Sequence, residues 1–452
     1  MTILEATERV GGRVLTIRSP FKEGGYIDVG PMRIPNTHYL TMEYIRKFHL
    51  PINPFINTTP NDIFYVNGVY TRRKCYEQNP SILNYPVAPR ERNKTASELL
   101  HILFQPIYDF INQNPARNWP IIIKFFDKYS FDIFLTHNPF GIRLSHGAIE
   151  QIKVISANEG MAELSFLDIF REYLVFLNPY NRFYEITGGN DQLPKAFLPQ
   201  LKENILFNQE LKKIVYHESN VTFYSIHTKT GEPLQITGDC AIVTIPFSVL
   251  RFIEVEPYHA FSHSKRKAIR ELHYVPSIKT GIQFRERFWE KEKIFGGQTI
   301  TDLPIRQVYY PSHGFGQKVG VILTSYTWED SAQILQRYSE KGQIQQALEN
   351  LAVIHGLHIL NDFVTGVSHS WTQYKYATDA FAFFKPEQEV ELYPSIIAPE
   401  GRIHFAGEHA SSDRTWIQGA IESGIRAAYE VNSRPYCILY IPFMMTMTDI
   451  NS

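Results

Sequence analysis

The spacing of apolar positions along this chain changes several times. Thr2-Ile3-Leu4 is a short β-like run with no lead-in. From about Thr37, Leu40, Tyr44, Ile45 and Phe48 recur at helical spacing and predict one apolar helix face. Residues 51–90 are rich in Pro and Asn, with short β-like runs at Ile63–Val66 and Val69–Tyr70. Thr95-Ala96-Ser97-Glu98 has capping-box spacing, so a helix is expected from there through Ile111. Further helices are expected around 130–137, 145–157 and 163–177, the first two capped by Ser130 and Ser145. Together they make 95–177 a helical insert.

The texture turns to β from Arg182. Gly188-Gly189 precede a short helix expected over Leu193–Leu201. Strands are expected at Ile205–Phe207, Lys213–Val215 and Val221–Ile226, with a buried one at Ala241–Ile245. Residues 278–285 and 319–327 read as strands and Glu340–Leu351 as a helix. A last strand, Ile403–Phe405, leads through Gly407-Glu408 into a helix from Ile417 to Val431. The apolar tail after Asn432 fits none of these patterns.

At 452 residues the chain is long enough for two or three domains. Its 45 basic and 46 acidic side chains balance, so no general pull toward nucleic acid or an anionic membrane is encoded. With 31 Phe, 26 Tyr and five Trp, the chain suits a large interior or a cavity that holds something flat. Cys75, Cys240 and Cys437 are too few and too scattered for a disulfide framework. No signal peptide, membrane span or metal-ligand spacing is read, His259 and His263 lacking a third partner. A cytoplasmic setting is the expectation.

Three stretches carry candidate chemistry. Glu5-Ala6 at a strand end, followed by Gly11-Gly12-Arg13, suits an acid on a ribose and a basic group on a pyrophosphate. In Gly30-Pro31-Met32-Arg33-Ile34-Pro35, two prolines stiffen a loop whose arginine can grip a carboxylate bidentately. Arg402–Glu408, then Thr415-Trp416-Ile417-Gln418-Gly419-Ala420, places a helix N-terminus where negative charge could rest. Singly, these also read as a surface turn, a structural ion pair and close helix packing.

In order, the three stretches resemble a flavin-dependent L-amino-acid oxidase of the monoamine-oxidase superfamily. The likeness runs from about residue 2 to 432 and includes Tyr85-Pro86-Val87, Phe288-Trp289-Glu290 and Tyr309-Tyr310-Pro311. It implies an α/β fold: a Rossmann-like FAD-binding domain (1–17, 187–276, 371–432), a mixed-sheet substrate domain (18–75, 277–370) and a helical domain (76–186). Residues 433–452 form an atypical tail. FAD would contact Glu5, Ala6, Arg13, Gly30, Pro31, Met32, Arg33, Leu211, Trp371, Glu408, Thr415, Trp416, Ile417, Gln418, Gly419 and Ala420. Arg33 would clamp the substrate carboxylate, with Tyr326 (or its neighbour Ser325), Thr415 and Trp416 beside the substrate. Lys279 would be catalytic, holding a water near flavin N5.

The implied reaction is oxidative deamination of L-amino acids, large apolar or aromatic ones, by hydride transfer from the α-carbon. Its products are a 2-oxo acid, ammonia and hydrogen peroxide, with dioxygen as co-substrate. A homodimer is a further expectation. The venom branch of the family has a histidine near the substrate, where this chain reads Phe170-Arg171-Glu172-Tyr173. No GxGxxG occurs, so the N-terminal strand and glycine loop of a Rossmann unit are expected to be missing and flavin binding weakened. A related monooxygenase that releases an amide, a related amine oxidase and a truncated, FAD-free inactive remnant are the alternatives.

Overall fold

The computed structural model describes residues 1–178 and 180–433, so the atypical tail lies outside the described residues. Segments distant in sequence pair near the chain start. Ile3–Leu4 runs parallel to Ile205–Leu206, and Ala241–Val243 runs parallel to Ile403–Phe405. Beside them Gln209–Tyr216, Val221–His227 and Pro233–Gly238 form an antiparallel meander, with Glu254–Glu256 added in parallel to its first strand. Alternating inward residues such as Ile214, Val221, Val243 and Phe405 bury against helix residues Phe247 and Ile269.

The expected buried strand 241–245 is a correction. It is only three residues long, and Ile242 is 40% exposed. Each strand of these two pairs has one neighbour, and Ile3, Leu4 and residues 241–243 all line the same cavity.

A seven-stranded sheet forms the second layer. Its order is Phe363–Ser370, Ser277–Phe284, Gly320–Trp328, Gln307–Tyr309, Gln298–Thr301, Ile63–Val66 and Val69–Arg72. Pairing is antiparallel except between 298–301 and 63–66. All eight residues of Ser277–Phe284 are buried, because packing covers both faces of this strand.

The helical region has the expected caps. Thr95 and Glu98 bond each other's backbone reciprocally at the start of Ala96–Gln113. Ser130 and Ser145 cap Phe131–Thr136 and His146–Ile155. Pro115–Phe126, unexpected from its Pro- and Asn-rich start, is also helical. Pro115 sits in the first turn, where no donor is needed, and Asn114 accepts from the Arg117 N–H. Phe104, Phe126, Phe134, Phe166 and Phe170 pack together here, which accounts for part of the aromatic excess. The expected helix 193–201 is instead two short turns, Gln192–Lys195 and Leu198–Leu201, because Pro199 cannot donate across the junction. Among the described residues no helix is long and apolar enough to cross a membrane.

Candidate functional site

A cavity of about 2220 Å³ runs between the strand pairs, the seven-stranded sheet and the helices. That exceeds the roughly 300–1,000 Å³ typical of a small-molecule pocket and is room for a dinucleotide and a substrate together.

One end is built on Glu5–Arg13, Gln209–Lys212 and Tyr374–Thr378. Glu5 Oε1 accepts from the Thr7 amide and hydroxyl at 2.8 and 2.7 Å, which holds the loop after the first strand. Gly11 has φ +101°, and a Cβ there would meet Pro194 at 2.7 Å, so the turn needs glycine. Arg13 Nη1 donates to Glu408 Oε1 at 2.7 Å and to the Ala380 carbonyl at 3.0 Å. Glu408 also accepts from the Ala382 and Thr415 amides, so both its oxygens are held by the chain.

The other end is built where the Gly30–Pro35 loop crosses the seven-stranded sheet. A Cβ at Gly30 would lie 2.0 Å from the Arg13 carbonyl, so only glycine allows this crossing. The loop then presents Arg33, whose Nη1 donates to Asn57 Oδ1 at 3.1 Å and the Tyr309 hydroxyl at 3.3 Å. Its guanidinium carbon lies 4.6 Å from the centre of the Phe176 ring. Among the described residues no carboxylate makes an ion pair with Arg33. That differs from Arg13, and the guanidinium is left available to an anion.

Lys279 sits opposite Tyr326 in the sheet register, so both side chains leave the same face. It is 2% exposed and donates to the Gly30 carbonyl at 2.6 Å and the Asp28 carbonyl at 3.3 Å. Its nitrogen is 4.3 Å from the Tyr326 ring centre. Burial pushes the Lys279 ammonium down to about 7, against a smaller upward pull from Asp28, with Arg33 adding to the depression. Burial also pushes the Asp28 carboxyl up to about 7, although Thr16 and the Asn190 amide donate to it. Tyr326 is pushed up to about 12 by burial and stays neutral. Ser325, its alternative, points away and donates to the Ile305 carbonyl.

Of the residues singled out from sequence, Glu5, Ala6, Arg13, Gly30–Arg33, Leu211, Lys279, Tyr326, Trp371, Glu408, Thr415–Ile417 and Ala420 line this cavity. Gln418 and Gly419 do not. Gln418 Oε1 accepts from the Thr41 amide and hydroxyl, tying helix 417–432 to helix 39–47. A Cβ at Gly419 would meet the Asp413 carbonyl at 2.1 Å, so this glycine serves packing of its own loop. Trp371 donates its indole N–H to the Val29 carbonyl.

Sequence reasoning missed Asn57 and Phe176 as the residues that hold Arg33, and it passed over Glu172. Glu172, Ile169, Tyr173 and Phe176 lie three or four residues apart on helix 166–177 and line the cavity together. An acidic residue on that otherwise apolar face was the available signal.

The class of protein that this fold and cavity serve follows from the sequence: residues 1–432 match the flavin containing amine oxidoreductase family, to which the chain belongs. It is thus an oxidoreductase with flavin chemistry. YobN of Bacillus subtilis (strain 168), named provisionally as an L-amino-acid oxidase, is 54% identical over 436 residues, 96% of this chain and 90% of that protein. The L-amino-acid oxidases of Siganus canaliculatus and Naja atra are each 34% identical over 96% of this chain, covering 81% and 83% of those proteins. The fold is shared with putrescine oxidase bound to putrescine (TM-score 0.77, 16% identity, 96% of this chain and 93% of that one). It is shared likewise with cyclohexylamine oxidase from Brevibacterium oxydans IH-35A (TM-score 0.72, 17% identity, 95% and 91%).

Proposed function

We propose that this protein catalyses FAD-dependent oxidative deamination of L-amino acids. The observation that carries the reading is Arg33: a cation on a stiffened loop in the cavity, oriented by Asn57 and Tyr309 and, among the described residues, paired with no carboxylate. An amine without a carboxylate would leave it uncompensated. The relatives named as L-amino-acid oxidases support the same reading.

The residues present fit a flavin. The cavity is roomy enough for a dinucleotide, glycine at position 30 lets its loop pack directly on the Arg13 carbonyl, and Trp371 and Trp416 supply flat aromatic lining. We assign Glu5, Ala6 and Leu211 to the adenosine end, Arg13 and Glu408 to the middle, and residues 30–33, Trp371 and 415–417 to the ring end. When bound there, flavin supplies the hydride acceptor, and dioxygen restores it with release of hydrogen peroxide.

The chain's own residues do the rest. Arg33 fixes the substrate carboxylate, so the α-carbon is held in one place, a proximity effect. The substrate amine must be neutral for hydride to leave the α-carbon. Lys279, largely uncharged above pH 7, adds no cation that would oppose this. With two N–H groups directed at the Gly30 and Asp28 carbonyls, its lone pair is free to accept a hydrogen bond from water. The substrate imine then hydrolyses to a 2-oxo acid and ammonia.

The test is product analysis with the flavin-loaded protein over a panel of L-amino acids. Equal yields of 2-oxo acid, ammonia and peroxide are expected. A decarboxylated amide would instead make it a monooxygenase, and no turnover with any amino acid would refute the proposal.

A further inference from the structure

Glu172 is a carboxyl group that the reaction above does not use. It enters the cavity from helix 166–177, the wall facing the sheet that carries Lys279. One oxygen, Oε1, is fixed by two donors: the Thr415 hydroxyl at 2.6 Å and the Trp416 indole N–H at 2.9 Å. Both bonds go to Oε1, and Oε2 has no hydrogen-bond partner among the described residues. Trp416 is itself held edge-on by His38, with ring centres 4.8 Å apart. The carboxyl is therefore rigidly placed, with one oxygen left for a ligand.

Arg33 and Glu172 are opposite charges in one cavity, yet they form no ion pair within 4.0 Å. Phe176, one helical turn beyond Glu172, stacks on Arg33 and spaces them. Burial pushes the Glu172 carboxyl up to about 7, opposed first by the Thr415 and Trp416 donors and then by the positive charge of Arg33. On the proposed reading, a substrate carboxylate neutralises Arg33, and Glu172 then loses its nearest positive partner. The α-amino group cannot replace it, since that group must be uncharged at the reacting end. Lys279 does not replace it either: burial pushes its ammonium toward the neutral form, and its hydrogen bonds go to the Gly30 and Asp28 carbonyls. The substrate side chain, which points away from the reacting end, is the remaining group that can bring a positive charge to the carboxylate.

We propose that Glu172 is a specificity-determining residue that selects L-amino acids with a cationic side chain, such as lysine and arginine, by pairing its free oxygen with that cation. This replaces the expected preference for large apolar or aromatic substrates, and it rests on Arg33 binding the α-carboxylate.

Glu172→Gln keeps an oxygen for Thr415 and Trp416 while removing the charge, so it probes pairing without dismantling the wall. Two readouts are needed on the flavin-loaded protein. The first is kcat/KM for peroxide release from L-lysine, L-arginine, L-leucine and L-phenylalanine. The second is calorimetric Kd for α-methyllysine and α-methylleucine, which have no α-hydrogen and cannot be oxidised. Wild type should favour the basic member of each set, and Glu172→Gln should cut the lysine-to-leucine ratio by about 10- to 100-fold in both readouts. Preference of the wild type for neutral substrates, or an unchanged ratio with all substrates falling together, overturns the proposal. If no amino acid is oxidised, the deamination reading fails by itself. The binding ratio of the two α-methyl compounds still decides the role of Glu172.

Discussion

Two arginines 20 residues apart face the same cavity in opposite electrostatic states. Arg13 is neutralised by Glu408, which also accepts from the Ala382 and Thr415 amides. Among the described residues, Arg33 has the neutral Asn57 and Tyr309 as its hydrogen-bond partners and no carboxylate. Around Arg33 the other ionisable groups are equally short of counter-charges: Lys279 and Glu172 are both displaced from their ordinary ranges, mainly by burial. The Arg13 end spends its charges on holding three backbone segments together. At the Arg33 end the charges wait for a ligand. Arg13 should therefore matter most to stability and Arg33 to substrate binding, a separation that substitution can break.

The largest expected effect is at Arg33. Arg33→Met should lower kcat/KM for L-amino acids by about a thousandfold, roughly two charge-assisted hydrogen bonds, with little change in unfolding midpoint. A large loss of stability instead would show that Arg33 is structural. Arg13→Met leaves the Glu408 carboxylate, only 9% exposed, without its cation. Denaturant unfolding should report a loss of about 3 kcal/mol, and Arg13→Met with Glu408→Gln should recover much of it.

Lys279 sharpens the comparison through pH. Its folded pKa of about 7 is below the 10.5 of the unfolded chain, so between these values the unfolded state binds the extra proton. Stability contributed at this site therefore rises from pH 7 to 10.5 and is lost as pH falls through that window. Relative to Lys279→Met, wild type should gain on the order of 1 kcal/mol per pH unit there. A gap independent of pH would show that Lys279 stays charged. The smallest effect is Tyr309→Phe, which removes one orienting contact to Arg33 and should raise KM about fivefold with kcat nearly unchanged.

Much of this was legible in the sequence because the signals are local. Thr95 and Glu98, Ser130 and Ser145 specify helix starts without help from the rest of the chain. The Gly30–Arg33 loop announces itself because glycine and proline restrict backbone geometry directly. What stayed hidden depends on distant partners. The exposure of Ile242 follows from a strand with one neighbour, which its apolar sequence does not reveal. Gln418 and Ala420 stand two residues apart, yet only the helix's docking against Thr41 decides which one meets the cavity. Lys279 reads as an ordinary strand lysine until packing on both faces of its strand buries it. Glu172 gains its meaning only from Thr415 and Trp416, more than 240 residues later.

The central claim is that Arg33 makes an α-carboxylate the handle for oxidation. It is tested most directly by comparing L-lysine, L-leucine and their decarboxylated amines, cadaverine and 3-methylbutylamine, for peroxide release by the flavin-loaded protein. The account predicts turnover of the amino acids, with kcat/KM at least about a hundredfold above that of the matching amine. Arg33→Met should erase the difference. Equal or faster oxidation of the amines by the wild type would contradict the account.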